Sequence, residues 1–306
     1  MSFSLGPRDV LVRIRAASLN PRDLAIINHL HPTPVKESLI PGSDGAGVVL
    51  EVGSDVQDFC VGDHVVTHIA AHLADEAFAT TDDMIQGLGQ QRDGTLCEIG
   101  VFSDTALVRM PKSLSFEEAA TLTCSGLTAW NALFGHPGKV VHVGDHVLVQ
   151  GTGGVSMAAL QNWGQAARDL TPESRGMDHV LSSLLTFLLR SLPPGGASPS
   201  ESYGMDHVID IGGYATLSQS ILATRPGGVL SVVGASGGFE ELLFRGISLR
   251  GIVVGNRQMF RNMVEFIEAK NLQPAVDDVT FELKDLKAAI ERLRKGQHFS
   301  KIILRN

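Results

Sequence analysis

The segment HVLVQGTGGVSMAALQ constrains the chain most, because an apolar strand runs into a glycine loop that opens a helix. Gly151 and Gly153 let the backbone turn sharply and approach a pyrophosphate, and the free N–H groups at a helix start favour an anion. Ser156 stands where the third glycine of this fingerprint is expected, and a purely structural turn is the alternative. The residues predicted to bind a nucleotide are Gly151, Thr152, Gly153, Gly154, Val155 and Ser156.

The residues before this loop predict a β-rich, barrel-like domain. Residues 10–14 (VLVRI) alternate between apolar and basic side chains, and residues 45–52 (GAGVVLEV) begin with glycines that allow another backbone to lie close. HVV at 64–66 and TALVRM at 105–110 are two further strand candidates. The pattern changes at Ser115–Glu118, which is a capping box followed by helical apolar spacing up to Phe134.

The residues after the loop alternate between strands and helices. Strand patterns cover 207–211, 229–234 and 249–255, with helical patterns at 215–223 and 262–269 between and after them. Such alternation predicts an α/β fold with a doubly wound parallel sheet.

Composition excludes several classes of function. The formal net charge is −8 with no basic block, so we expect neither a nucleic acid nor an anionic membrane as partner. Three cysteines at wide spacing exclude a disulfide framework and a four-cysteine zinc site. The longest leucine-rich stretch, 180–192, is shorter than the roughly 20 residues that span a bilayer, and no secretory signal is visible, so we expect a cytoplasmic location.

The stretch from 162 to 203 departs from a nucleotide-binding pattern. A ribose-binding residue is expected roughly 20 residues after the glycine loop, and Asp169 lies there without a preceding strand. GMDHV occurs at Gly176 and again at Gly204. Between the copies, leucines from Leu181 to Leu192 follow helical spacing and form one apolar face, which ends at the linker-like PPGGASPSES.

Three histidines offer a weak metal signal. His64, His68 and His72 are spaced as ligands on one helix face would be, but GDHVVTH is typical of a strand and no cysteine or carboxylate cluster accompanies it. We therefore expect no metal there.

Five motifs follow one another along the chain: GSDGAGVVLEVGSDVQDFCVGDHVV, SFEEAATLTCSGLTAWNALF, VLVQGTGGVSMAALQ, GMDHVIDIGG and RPGGVLSVVGA. Together and in this order, they resemble the medium-chain dehydrogenase/reductase superfamily. Within it the chain is similar to the zinc-type alcohol dehydrogenase-like and quinone reductase-like branches. The resemblance implies three parts: a GroES-like catalytic domain over 1–118, shortened at its N-terminus; a Rossmann-like domain over 119–256 with an atypical insert at 162–203; and a return to the catalytic domain over 257–306. It also implies a small-molecule substrate, NAD(P)(H) with NADPH the expected form, and a homodimer.

The same resemblance places individual site residues. The catalytic-zinc cysteine of the family falls at Asn20, and its zinc-binding histidine falls at Ser43, followed by Asp44, so no zinc is expected. Polar residues near the nicotinamide, expected to be catalytic, are Asn20, Asp23 and Thr128, with a turn cap the alternative for Asp23. The remaining cofactor-lining residues are Gly234, Asn256 and Lys301.

One departure from the family concerns the nucleotide fold itself. Gln161 is followed directly by Asn162, so the β2-α-β3 part of the Rossmann domain is missing from the pattern. Either the leucine helix covers the exposed gap, in which case Leu185→Asp lowers thermal stability, or 162–203 is an aberrant translated sequence that ends where GMDHV resumes.

Three functions follow from these observations. The first is a metal-independent NAD(P)H-dependent oxidoreductase that reduces a quinone-like, enone or carbonyl compound of specialised metabolism. In it, Thr128 would help to orient the nicotinamide ring. The second is a non-catalytic relative that has lost cofactor binding and serves as a scaffold. The third, a zinc-dependent alcohol dehydrogenase, requires ligands that the sequence does not provide.

Overall fold

The computed structural model describes residues 4–71, 75, 81–142, 144–160, 204–212, 216–233 and 247–306. Contacts divide the chain into two units. The first unit comprises Met1–Leu127, Gly153–Val155 and Val254–Asn306, and the second comprises Thr128–Thr152 and Ser156–Val253. No helix among the described residues is long and apolar enough to cross a membrane.

The strands are β1 (Asp9–Ser18), β2 (Asp44–Val52), β3 (His64–Thr67), β4 (Ile99–Ser103), β5 (Leu107–Arg109), β6 (Val147–Val149), β7 (Met205–Asp210), β8 (Thr224–Val233), β9 (Ser248–Ile252), β10 (Thr280–Glu282) and β11 (Ile303–Arg305). The helices are α1 (Pro21–Ile27), α2 (Thr81–Ile85), α3 (Phe116–Ala119), α4 (Leu127–Phe134), α5 (154–160, up to the last described residue there), α6 (Leu217–Ala223), α7 (Arg257–Lys270) and α8 (Leu286–Arg294).

The first unit is built on a sheet of β10-β11-β1-β2-β3-β5, with β4 also paired to β1. Its central strand, β1, follows the predicted alternation, because Val12 and Ile14 are buried while Arg13 and Arg15 are exposed. A Cβ at Gly47 on β2 would lie 2.2 Å from the carbonyl oxygen of Arg13, so the two strands approach closely only because this residue is glycine. The predicted β-rich domain is confirmed.

The described strands of the second unit form a parallel sheet in the order β6-β7-β8-β9. Its core consists of buried apolar residues from the strands and from α6, including Leu148, Val208, Ile221 and Leu230. A parallel sheet requires crossover connections, which is why strand and helix patterns alternate in this half. The Rossmann-like α/β fold is confirmed. The expected gap after Gln161, the insert 162–203 and its leucine helix lie outside the described residues.

The capping box at Ser115 is present: Ser115 Oγ accepts a hydrogen bond from the backbone N–H of Glu118, whose carboxylate accepts one from the N–H of Ser115 at 2.8 Å. The regular helix expected up to Phe134 is wrong in its middle. A π-helical turn occupies Leu122–Gly126, between α3 and α4, and the N–H of Gly126 reaches back to the carbonyl of Thr121. Apolar spacing does not reveal such a turn, because one wider turn leaves the buried face almost unchanged.

Candidate active site

The first part of the site is the start of α1. Pro21 occupies the first helical position, where its missing N–H is no loss, and Asn20 stands at the N-cap. Asp23 Oδ2 accepts a hydrogen bond from the backbone N–H of Asn20 at 2.8 Å, which is the cap considered for Asp23. Both side chains are buried, with 3% of Asn20 and 1% of Asp23 exposed. Asn20 Nδ2 and Asp23 Oδ1 have no hydrogen-bond partner in the described part of the chain.

Burial changes the acidity of Asp23. Removal of the carboxylate from water is the largest effect and raises its pKa from 3.8 to about 6. The positive charges of Arg22 and Lys301 and the N–H of Asn20 lower this pKa, while the negative charge of Asp44 raises it further. A side chain whose pKa lies this close to neutrality can gain or lose a proton under ordinary conditions.

Asp44, the first residue of β2, forms the second part of the site. Its Oδ1 accepts a hydrogen bond from Ser43 Oγ at 2.7 Å. Its Oδ2 lies 3.2 Å from Ser18 Oγ, 3.3 Å from Lys301 Nζ and 3.4 Å from the backbone nitrogen of Cys124. The side chain is fully buried, so this carboxylate is held by protein donors alone.

Lys301 brings a buried cation to these residues. Its Nζ donates to Asn20 Oδ1 at 2.6 Å, to the carbonyl oxygen of Leu19 at 2.8 Å and to Asp44 Oδ2 at 3.3 Å. The side chain is 4% exposed. The preceding residue, Ser300, has a positive φ of 56° and forms a parallel bridge with Gly153, so the chain that carries Lys301 is attached to the glycine loop.

Gly154 shows how closely the loop packs on this cluster. A Cβ at Gly154 would lie 2.5 Å from Ser125 Oγ and 2.6 Å from Lys301 Cδ. Ser125 and Cys124 belong to the π-helical turn, which therefore directs two neighbouring residues to the cluster. Residue spacing gave no signal for Ser18, Cys124 or Ser125 as members of this site.

The thiol of Cys124 remains protonated at neutral pH. Surrounding protein, and then the negative charge of Asp44, raise its pKa to about 12, although part of the residue is accessible to solvent. A thiolate is the form that attacks electrophiles, so this cysteine is a poor nucleophile.

The donor set does not fit a catalytic zinc ion. Zn²⁺ prefers thiolate and imidazole ligands. The residues at the family's ligand positions, Asn20, Ser43 and Asp44, offer an amide, a hydroxyl and a carboxylate, and the ammonium of Lys301 already binds the first and the last. Over the described ranges, no group of three histidine, cysteine or acidic side chains is arranged to hold a metal ion. His64 lies on strand β3, and His72 lies outside the described residues.

The glycine loop fits a phosphate-bearing cofactor. Gly151, Thr152 and Gly153 are exposed, and Gly151 has a positive φ of 72° that favours glycine. A Cβ at Gly151 or Gly153 would meet no atom within 4 Å, so the backbone there is open to a ligand, which a side chain would obstruct. Ser156 is buried, and its Oγ donates to the carbonyl of Gln150 at 2.5 Å, which explains how serine replaces the third glycine.

Three other predicted site residues are placed as follows. Thr128 is buried in α4 and belongs to the second unit, whereas the residues of the cluster belong to the first. Asn256 is the N-cap of α7, where its Oδ1 accepts a hydrogen bond from the N–H of Met259 at 2.8 Å. Gly234 lies outside the described residues. Cofactor contacts of all three stay predictions.

The chain is similar to known dehydrogenases in both sequence and structure. Residues 6–112 match the alcohol dehydrogenase GroES-like domain, and residues 176–304 match the zinc-binding dehydrogenase domain. The zinc-type alcohol dehydrogenase-like protein C1773.06c of Schizosaccharomyces pombe is 41% identical over 98% of this chain and 92% of its own length. The chain belongs to the medium-chain dehydrogenase/reductase superfamily.

Within that superfamily it lies in the alcohol dehydrogenase-like branch and is an NAD(P)-dependent oxidoreductase. The solved structure of an NAD-dependent alcohol dehydrogenase superposes with a TM-score of 0.78 at 27% identity, covering 99% of this chain and 93% of that one. The 2-methylene-furan-3-one reductase of Solanum lycopersicum is 26% identical over 96% of this chain and 71% of its own length. The family and the general class of reaction predicted from the sequence are confirmed.

Proposed function

We propose that this superfamily member is a metal-independent, NAD(P)H-dependent reductase of a quinone-like, enone or other carbonyl compound. One observation carries the proposal: the ammonium of Lys301 binds Asn20 and Asp44, two residues that the resemblance aligns with zinc ligands of the family. A fixed positive charge there favours the negative charge that develops on an oxygen atom during reduction, as a metal ion would.

Individual groups of the chain have separate roles in the proposed reaction. Bound NAD(P)H supplies a hydride and its electron pair. The open backbone at Gly151 and Gly153 receives the pyrophosphate. Asn20 and Asp23 present unpartnered polar atoms to the substrate, and Thr128 helps to orient the nicotinamide.

The comparisons support a reductase of this kind. The tomato relative is named for reduction of 2-methylene-furan-3-one, a conjugated ketone, which is one of the proposed substrate classes. The names of other relatives contain zinc-type alcohol dehydrogenase, and these favour the third function considered above. We choose the reductase because the carbonyl, amide and carboxylate oxygens around Lys301 suit an ammonium better than Zn²⁺, which prefers thiolate and imidazole ligands.

We further propose NADPH as the preferred cofactor, the domain boundaries 1–118, 119–256 and 257–306, a cytoplasmic location, and a role in specialised metabolism. We also propose a homodimer. In the described part of the second unit's sheet, β9 ends the strand order, and the segment around it is the usual dimer edge of this family. Light scattering of the purified protein at two concentrations tests the dimer.

The proposed function is tested by titrating the folded protein with NADPH and NADH, and then by assaying turnover. The substrates are 2-cyclohexen-1-one, cinnamaldehyde and 9,10-phenanthrenequinone. We expect micromolar nucleotide binding and reduction of at least one compound. Cooperative unfolding without nucleotide binding would instead support the non-catalytic relative, and failure to unfold cooperatively would support an aberrant sequence.

A further inference from the structure

Two buried polar atoms of the cluster lack a protein partner. Among the described residues, nothing accepts a hydrogen bond from Asn20 Nδ2 and nothing donates one to Asp23 Oδ1, although both residues are almost completely buried. Nearly all buried polar groups in folded proteins are hydrogen-bonded. An unpartnered buried donor therefore calls for a partner from outside the chain, either water or a ligand.

The lysine determines which way the Asn20 amide faces. An ammonium has three donors and no acceptor, so only the oxygen of the amide can face Lys301 Nζ. That contact, Nζ to Oδ1, is 2.6 Å long. The amide nitrogen therefore faces away from Lys301. The assignment of oxygen and nitrogen in the Asn20 amide thus follows from the donor-only nature of the ammonium.

The same lysine has no donor left for a ligand. Its three N–H groups are matched by three acceptors, which are the carbonyl of Leu19, Asn20 Oδ1 and Asp44 Oδ2. Packing against Gly154 holds its stem. The cofactor contact that the resemblance implies for Lys301 stays a prediction, but the ammonium itself, with all three donors used, can act on a ligand only through Asn20.

We propose that Asn20 is a catalytic residue whose Nδ2 donates a hydrogen bond to the substrate's carbonyl oxygen, and that Lys301 is the positioning residue that fixes the amide in this orientation. The inference rests on the proposed function. The nearby positive charge also polarises the amide, which makes its N–H groups stronger donors.

The chemistry balances as follows for an enone. The hydride and its electron pair, taken from NAD(P)H, form a bond to the β-carbon, and the C=C π pair shifts so that negative charge reaches the carbonyl oxygen. The hydrogen bond from Asn20 stabilises that enolate oxygen. Water then supplies the proton to the α-carbon, which leaves a saturated ketone, hydroxide and the oxidised nucleotide.

The test uses infrared spectroscopy as well as kinetics. The probe is whichever of the three compounds named above the wild-type protein reduces with the highest kcat/KM. Its C=O stretch is recorded in buffer and bound to protein without nucleotide. We expect a lower frequency on the wild type, because a hydrogen bond weakens the C=O bond, and a return toward the buffer value in Asn20→Asp, which has no amide donor.

Kinetics of the same variants give the second readout. We expect Asn20→Asp to lower kcat by about 10²–10³-fold, the usual effect of removing one donor to a developing oxyanion, with NADPH affinity unchanged. Asn28→Asp, at the exposed end of α1, is the matched control and should behave as wild type.

The role of Lys301 is tested in a variant designed to remain folded. Lys301→Met leaves Asp44 buried and unpaired, so Asp44→Asn/Lys301→Met, which removes both charges, accompanies it. We expect both to lose the infrared shift and at least about tenfold in kcat, because the amide is free to rotate. Lys295→Met, on the surface, is the control.

The outcomes separate the two claims. If the wild type reduces none of the three compounds, the proposed function and this inference both fail. If it reduces one of them and either Asn20→Asp or the folded double variant keeps the wild-type infrared shift and kcat, only the inference is overturned.

Discussion

Replacing Lys301 by methionine should destabilise the first unit strongly, because Lys301 and Asp44 form a buried ion pair. Both side chains are almost inaccessible to water, and Nζ and Oδ2 are 3.3 Å apart. At an effective dielectric constant of about 20, this separation corresponds to about 5 kcal/mol of attraction. Leaving one partner of such a pair buried and unpaired typically costs about 3–5 kcal/mol.

The expected loss lies at the lower end of that range. Asp44 retains Ser43 Oγ, Ser18 Oγ and the N–H of Cys124 as donors when the ammonium is removed. We therefore expect Lys301→Met to lower the free energy of unfolding by about 3 kcal/mol. Asp44→Asn/Lys301→Met should recover at least about half of that loss, since neither charge is then buried alone.

Urea unfolding followed by circular dichroism at pH 7 measures both variants. Lys295→Met serves as the control, because its partly exposed pair with Glu291 should contribute less than about 1 kcal/mol. A Lys301→Met protein that unfolds at the wild-type urea concentration would show that Asp44 does not hold the ammonium. A double variant no more stable than Lys301→Met would count equally against the buried pair.

Three further predictions concern neighbouring groups. Burial raises the pKa of Asp23 from 3.8 to about 6, so the folding stability that the protonated side chain contributes at low pH is lost as pH rises through about 6. Asp23→Asn should therefore be more stable than wild type at pH 8 by up to about 3 kcal/mol, and this advantage should shrink at pH 5. Urea midpoints at both pH values test this, and an equal difference at both would contradict it. Gly154→Ala should lower the free energy of unfolding by about 1–3 kcal/mol, because its Cβ would lie 2.5 Å from Ser125 Oγ. Gly153→Ala, whose Cβ would meet open space, is the control in thermal unfolding. Equal melting temperatures of the two variants would be evidence against close packing of Gly154 on Ser125. Gln150→Leu removes the acceptor for the backbone N–H groups of Ile211 and Gly212, which follow β7. The free energy of unfolding should fall by about 1–3 kcal/mol, and hydrogen exchange of these two amides should accelerate. Unchanged exchange would argue against this role of Gln150.

The features that the sequence predicts best are local ones. The strand β1, the capping box at Ser115 and the glycine loop each depend on residues within a few positions of one another. The helix α1 was not predicted, although Asn20 followed by Pro21 is a typical helix start. Such signals are strong where backbone propensity and side-chain hydrogen bonds favour the same structure.

The cluster around Lys301 could not be predicted in the same way. Lys301 and Asp44 lie 257 positions apart, and they meet because β11 and β2 both pair with β1. The resemblance to the family placed Asn20 and Lys301 at the site, but only the structure shows that one binds the other. The π-helical turn that directs Cys124 and Ser125 to the cluster has no pattern in the sequence.

Zinc content and activity, measured on the same samples, decide whether the reaction needs a metal ion. Purified protein is assayed for NADPH-dependent reduction before and after exhaustive dialysis against 1,10-phenanthroline, with the zinc content of both samples determined by mass spectrometry. We predict substoichiometric zinc in the untreated protein and the same kcat in both samples, because the cation of the site is the ammonium of Lys301. Stoichiometric zinc whose removal abolishes activity, and whose return restores it, would show that the enzyme depends on zinc.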